Sequence, residues 1–114
     1  MFREPRIDDV NAEEAVCLHD QGAVLVDVRE HDEWIVGHAP GAVHVPLSSV
    51  GREARRFADR EVLTVCRTGR RSARAARVLA KAGAEVLNVA GGMSSWAAAG
   101  LPVVRDDGGP GAVA

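Results

Sequence analysis

The residues best equipped for chemistry in this chain are gathered in Cys66-Arg67-Thr68-Gly69-Arg70-Arg71-Ser72, directly after the apolar run Val62-Leu63-Thr64-Val65. A cysteine attacks as the thiolate, and oriented N–H groups or nearby cations lower its pKa. A strand that ends at Cys66, a tight Gly-containing loop and a helix beginning near Ser72 would supply both. The loop's N–H groups can form an anion nest, and the helix adds its positive dipole end. Arg67, Arg70 and Arg71 all lie within five residues of Cys66. Cations at a helix N-terminus are unfavourable by about 0.3–1 kcal/mol each, so the cluster makes sense if the site receives an anion. The plain alternative is a solvated basic face beside an inert, buried thiol.

The elements that must position this loop are legible from the pattern around it. Residues 23–28, 42–45, 61–66 and 86–89 are short Val-rich runs. Their near-continuous apolarity predicts strands buried on both faces of a parallel sheet. Helical patterns lie between them. Asn11 with Glu14 forms a capping-box signature ahead of Ala12, Ala15 and Val16. A second pattern covers residues 48–58 with Val50, Ala54 and Phe57. A third covers 72–82, with Ala75, Val78, Leu79 and Ala82 on its core face and Gly83 as the stop. A short fourth covers 94–99. Strands alternating with helices predict one layered α/β domain. Residues 105–114, RDDGGPGAVA, lack a periodic face and read as a disordered tail.

The composition agrees with such layers. The chain has 114 residues, of which 17 are Val and 19 Ala, with 4% aromatic residues, so small and β-branched side chains must build the core. A net charge of −2 gives no general pull toward nucleic acid or an anionic membrane. The hydrophobic runs fall far short of the ~20 residues of a membrane span, and no secretory leader is recognised in MFREPRIDDV. Two cysteines make no disulfide framework, and a cytoplasmic setting is expected.

Other residues have modest readings. Cys17, between Val16 and Leu18, reads as a small core hydrophobe, with a resolving thiol as the sharper alternative. His19, His31, His38 and His44 show no metal-ligand spacing, so neither a metal nor another cofactor is expected. His38, in a Gly/Pro-rich turn, reads as structural. Arg70, Arg74, Arg77 and Lys81 make a basic stripe at 4-3-4 spacing, either a solvated face or a docking strip for an acidic protein.

Three segments together resemble the rhodanese-homology domains: Asp27-Val28-Arg29-Glu30 with Glu33-Trp34 and Gly37 through Pro46; Cys66 through Ser72; and Gly91-Gly92-Met93 with Trp96 and Gly100-Leu101-Pro102-Val103. The resemblance spans roughly residues 6–104, within a domain taken as residues 1–104. It implies a small, mainly parallel sheet of about five strands with helices on both faces. It also implies a sulfurtransferase in which Cys66 takes a sulfane sulfur from thiosulfate or a persulfide, becomes a persulfide, and passes the sulfur to a thiol or cyanide. A persulfide-carrying protein is a further candidate donor. Arg67, Thr68, Gly69, Arg70, Arg71 and Ser72 match the stretch that cradles substrate, while Asp27 and Arg29 match supporting positions. The related cysteine phosphatases need an Arg six residues after the Cys, where this chain has Ser72, and the protein tyrosine phosphatase pattern has a His before it, where this chain has Val65. A non-turnover module for binding or for redox or persulfide sensing is the rival reading, and intact Cys66 with its loop favours the enzyme.

Overall fold

The computed structural model describes residues 4–114. Its strands are β1 (Asp8–Val10), β2 (Val24–Asp27), β3 (Val43–His44), β4 (Glu61–Val65) and β5 (Glu85–Val89). Its helices are α1 (Ala12–Asp20), α2 (His31–Val36), α3 (Leu47–Glu53), α4 (Arg70–Lys81) and α5 (Gly92–Ala98), with a 3-10 turn over Ala54–Phe57. The strands form one sheet in the order β1-β5-β4-β2-β3 with every pairing parallel. The expected α/β architecture is therefore present, and the sheet is wholly parallel.

The continuous apolar runs follow from burial on both faces. Leu25 and Val26 in β2, like Leu63 and Val62 in β4, are neighbours that enter opposite core layers. One layer packs Val26 and Val62 against Val50, Phe57, Ala75 and Leu79; the other packs Leu25 and Leu63 against Ala12, Ala15, Met93 and Trp96. Thus α3 and α4 cover one face, and α1 and α5 the other. The predicted cap of α1 is formed: the Glu14 N–H donates to Asn11 Oδ1 at 2.8 Å, and the Asn11 N–H to Glu14 Oε1 at 3.1 Å.

Three expectations are corrected. Cys17 is exposed, because it stands about 200° around α1 from the buried Ala15. Val78 is 39% exposed, since the buried arc of α4 runs through Ser72, Ala75, Ala76 and Leu79 and leaves it on the flank. The stretch 105–114 is not a loose tail. The N–H groups of Gly111 and Ala112 donate to Val103 O (2.8 Å) and Val36 O (3.1 Å), and Val113 joins the second core layer. Gly111 serves close approach: a Cβ on it would stand 2.8 Å from Gly37 Cα, and one on Gly37 would strike the Ala112 backbone.

Candidate active site

β4 delivers Cys66 to the carboxyl edge of the sheet, and the chain turns through Arg67-Thr68-Gly69 into α4. Gly69 has φ +112°, a conformation that disfavours any residue with a Cβ and that folds the loop back over the cysteine. The Gly69 N–H donates to Cys66 Sγ at 3.0 Å, and the Ser72 hydroxyl donates at 3.2 Å. Burial alone would push the thiol pKa up, since the residue is 1% exposed. The Ser72 hydroxyl and the N–H groups of Ser72, Gly69 and Thr68 outweigh burial, and the pKa lies below its ordinary value. These donors make a polar cup around the buried sulfur, and Arg67, Thr68 and Arg70 of the same loop are exposed.

The N–H groups can face inward because the carbonyls are tied outward. Met93 N–H donates to Cys66 O at 2.7 Å, and Ser94 N–H to Arg67 O at 3.0 Å, both from the first turn of α5. The Gly69 carbonyl accepts from Asn88 Nδ2 at 3.1 Å and from Ala73 N–H at 3.2 Å. Asn88 is itself held, its Oδ1 accepting from the Thr64 hydroxyl at 3.3 Å and its Nδ2 also donating to Asp9 Oδ1 at 3.3 Å. Gly92 permits the approach of α5, since a Cβ there would run into the carbonyls of Cys66 and Arg67.

A second brace crosses from α2. Arg71 grips Glu33 with Nη1–Oε1 at 2.7 Å and Nη2–Oε2 at 2.9 Å. The Arg71 hydrogen bond overcomes the opposing effect of burial and holds the Glu33 carboxyl at about 2, with the Glu30 N–H assisting. Glu33 in turn raises the Arg71 pKa. The Arg71 side chain is thus committed to α2. By contrast, Arg67, Arg70, Arg74 and Arg77 have no acidic partner among the described residues.

Asp27 and Arg29 form a wholly buried ion pair at the end of β2, with Arg29 Nη2 2.9 Å from Asp27 Oδ2 and 2.7 Å from the Gly37 carbonyl. They join β2 to the turn after α2. Trp34 is stacked between His38, 3.7 Å away, and His44, 4.7 Å away. His38 Nε2 also lies 2.9 Å from Asp106 Oδ1, so this histidine sits within the scaffold. Among the described residues no His/Cys/Asp/Glu cluster could hold a metal ion, and no helix is long and apolar enough to cross a membrane.

The structure therefore brings Cys66, Thr68, Gly69 and Ser72 to one sulfur atom, leaves Arg67 and Arg70 at the rim, and turns the Arg71 side chain away. Sequence reasoning missed Asn88 and Glu33 as neighbours of this site. A lone polar residue in the strand Val86-Leu87-Asn88-Val89 was the available signal for Asn88.

Comparison with known proteins bears on this geometry. Residues 11–99 match the rhodanese-like domain family. A sulfurtransferase of Allochromatium vinosum is 37% identical over 90 residues, covering 77% of this chain and 84% of the relative. An HTH-type transcriptional regulator of Mycobacterium tuberculosis is 37% identical over 107 residues, 90% of this chain but 46% of the relative. A Bacillus subtilis relative is likewise matched over 43% of its length, so the chain spans less than half of two of its curated relatives. The crystal structure of a rhodanese-related protein from Thermoplasma volcanium superposes with TM-score 0.79 at 29% identity, covering 87% of this chain and 99% of that one.

Proposed function

The chain belongs to the rhodanese-like domain family, and from that premise we propose that it is a sulfurtransferase cycling between a Cys66 thiolate and a Cys66 persulfide. The observation that carries this reading is the convergence of the Gly69 N–H and the Ser72 hydroxyl on Cys66 Sγ. With thiosulfate, the thiolate attacks the sulfane sulfur, a new S–S bond forms, and sulfite departs with the electron pair of the bond that breaks. The persulfide leaves its terminal sulfur anionic, and the inward N–H groups of the cup stabilise that charge as they do the thiolate. An acceptor thiolate or cyanide then attacks the terminal sulfur and carries it off, and the electron pair of the broken bond returns to Cys66 as thiolate.

Each predicted site residue has a part in this cycle. Thr68, Gly69 and Ser72 hold the sulfur's charge, while Arg67 and Arg70 draw an anionic donor to the rim. The backbone of Arg71 belongs to the cup, and its side chain braces the loop through Glu33. Asp27 and Arg29 support the floor. Sulfurtransferase relatives support transfer in general, and the two free cysteines suit a reducing, cytoplasmic setting.

Intact mass after incubation with thiosulfate tests the reading: the protein should gain one sulfur atom, and Cys66→Ser should gain none. No gain from thiosulfate or any persulfide overturns it. A second reading, a persulfide-sensing module without turnover, is favoured by the regulator among the relatives. Repeated turnover with a thiol acceptor separates the two.

A further inference from the structure

α4 leaves the cup carrying charge well beyond what a small donor could touch. Arg70, Arg74, Arg77 and Lys81 fall within about 60° of arc on this helix and extend along about 16 Å of it. The first turn contains no acid, although the helix dipole favours one there. In a molecule whose net charge is −2, this is a concentration of cations on one helix face. Lys81 is paired with Glu4 at 3.0 Å and Arg71 with Glu33, which leaves the guanidinium groups of Arg70, Arg74 and Arg77 free among the described residues.

The surface around them is concave. A cleft of about 520 Å³ is lined by Arg70, Arg71, Ala73, Arg74 and Arg77, with no acidic side chain in its wall. An adjoining groove of about 550 Å³ shares Arg74 and Arg77 and adds Leu47, Ser48 and the exposed Val78. Glu4 and Glu30 also line that groove, so its charge is lower than the cleft's. Basic heads thus alternate with an apolar foothold, and the series begins at Arg70, immediately after the glycine that donates to Cys66 Sγ.

We infer that this face docks an extended acidic segment of a partner protein that exchanges sulfur with Cys66; the inference rests on the sulfurtransferase reading. Side chains at i+3 and i+4 on a helix stand about 5–6 Å apart. Alternate residues of an extended chain point the same way and stand about 6.5–7 Å apart. A segment with acids at every second position therefore meets Arg70, Arg74 and Arg77 in succession, and an apolar residue can settle on Val78. A small dianion reacting at Cys66 would leave Arg74 and Arg77 without a role. Tethering along α4 holds the partner's reactive sulfur near the rim, raising its local concentration without any new contact to Cys66.

The test is a binding measurement on the full chain bearing Cys66→Ser, so that no sulfur chemistry intervenes. The probe is a fluorescein-labelled peptide of about ten residues alternating Glu and Ser, with its Gln–Ser counterpart as control, read by anisotropy. The acidic peptide should bind and the Gln peptide should not. Arg74→Glu with Arg77→Glu should weaken binding roughly tenfold or more. Arg60→Glu, at the opposite end of β4, should leave it unchanged. The double variant should also acquire binding to a Lys–Ser peptide, a gain that misfolding cannot produce. Equal binding by the Cys66→Ser chain with and without the double change, or equal weakening by Arg60→Glu, overturns the docking face. If the acidic peptide binds as described while the Cys66 protein takes no sulfur from thiosulfate, the sulfurtransferase reading fails and the surface stands.

Discussion

Cys17 stands exposed on the outer face of α1, whereas Cys66 is 1% exposed beneath a loop of seven residues' span. Access alone would nominate Cys17 as the reactive thiol. In mid-helix, however, backbone N–H groups are spent on carbonyls four residues back, so none is free to converge on a side chain there. At Cys66 the chain has left β4 and has not yet closed its first helical hydrogen bond, so its N–H groups are unspent and can turn toward one sulfur. The difference between the two thiols is therefore made by backbone direction, which other elements must enforce by holding the loop carbonyls outside.

The most damaging way to erase that difference is at Gly92, far from the sulfur in sequence. Gly92→Ala puts a Cβ into the carbonyls of Cys66 and Arg67 at a backbone φ of +56°. Left-handed strain and the clash together should lower stability by roughly 2–4 kcal/mol. Pushing the carbonyls should also turn the cup's N–H groups away, so sulfur uptake from thiosulfate should be lost even well below the melting temperature. Thermal unfolding together with intact mass checks both effects; a stable variant that loads normally would show that α5 does not enforce the cup.

A subtler change acts on one donor. Ser72→Ala removes the hydroxyl at 3.2 Å from Cys66 Sγ and leaves a buried methyl in its place. The Ser72 hydroxyl is the strongest of the influences lowering the Cys66 pKa, so its loss should raise that pKa. Below the folded pKa the thiolate fraction, and with it alkylation by iodoacetamide, should fall roughly tenfold. The pH profile of Cys66 should move to higher pH while that of Cys17, read by peptide mapping in the same sample, stays in place. A profile that shifts at both cysteines, or at neither, contradicts the local role of Ser72.

These sites also mark what can be read in a sequence. The Val-rich runs betray β2, β3, β4 and β5 because burial on both faces leaves a local composition. β1 escapes notice: it is an edge strand of three residues, Asp-Asp-Val, exposed at both acids. α2, six residues long, is too short to show a period. The Cys66 loop is legible because thiol, glycine and arginines are neighbours in the chain. Asn88, Gly92 and Glu33 are not, since each acts on the loop from 19 to 38 residues away, through a pairing that no periodicity encodes. The closing stretch after Val104 misleads for a related reason. Gly111, one of the glycines that suggest disorder, is the residue that lets its backbone lie against Gly37.

The smallest expected effect separates bracing the cup from charging it. Glu33→Gln breaks the fork to Arg71 but leaves the donors to Cys66 Sγ in place. Glu33 titrates at about 2 in the folded chain, below its ordinary value of 4.5. A carboxyl lowered in this way stabilises the fold above its unfolded pKa, and the contribution drains away as pH falls from about 4.5 toward 2. Because the pair is partly exposed and screened, the full contribution is about 1 kcal/mol. Wild type should therefore exceed Glu33→Gln in stability by that amount near pH 7, and the gap should narrow through the acid range and close only below pH 2. Urea titrations at a series of pH values measure the gap, and one that persists unchanged at low pH would refute the assignment. The alkylation profile of Cys66 should meanwhile stay close to that of wild type. A large shift there would mean that Arg71, once released, acts on the sulfur itself, and the cup would then owe part of its charge to a side chain as well as to its backbone.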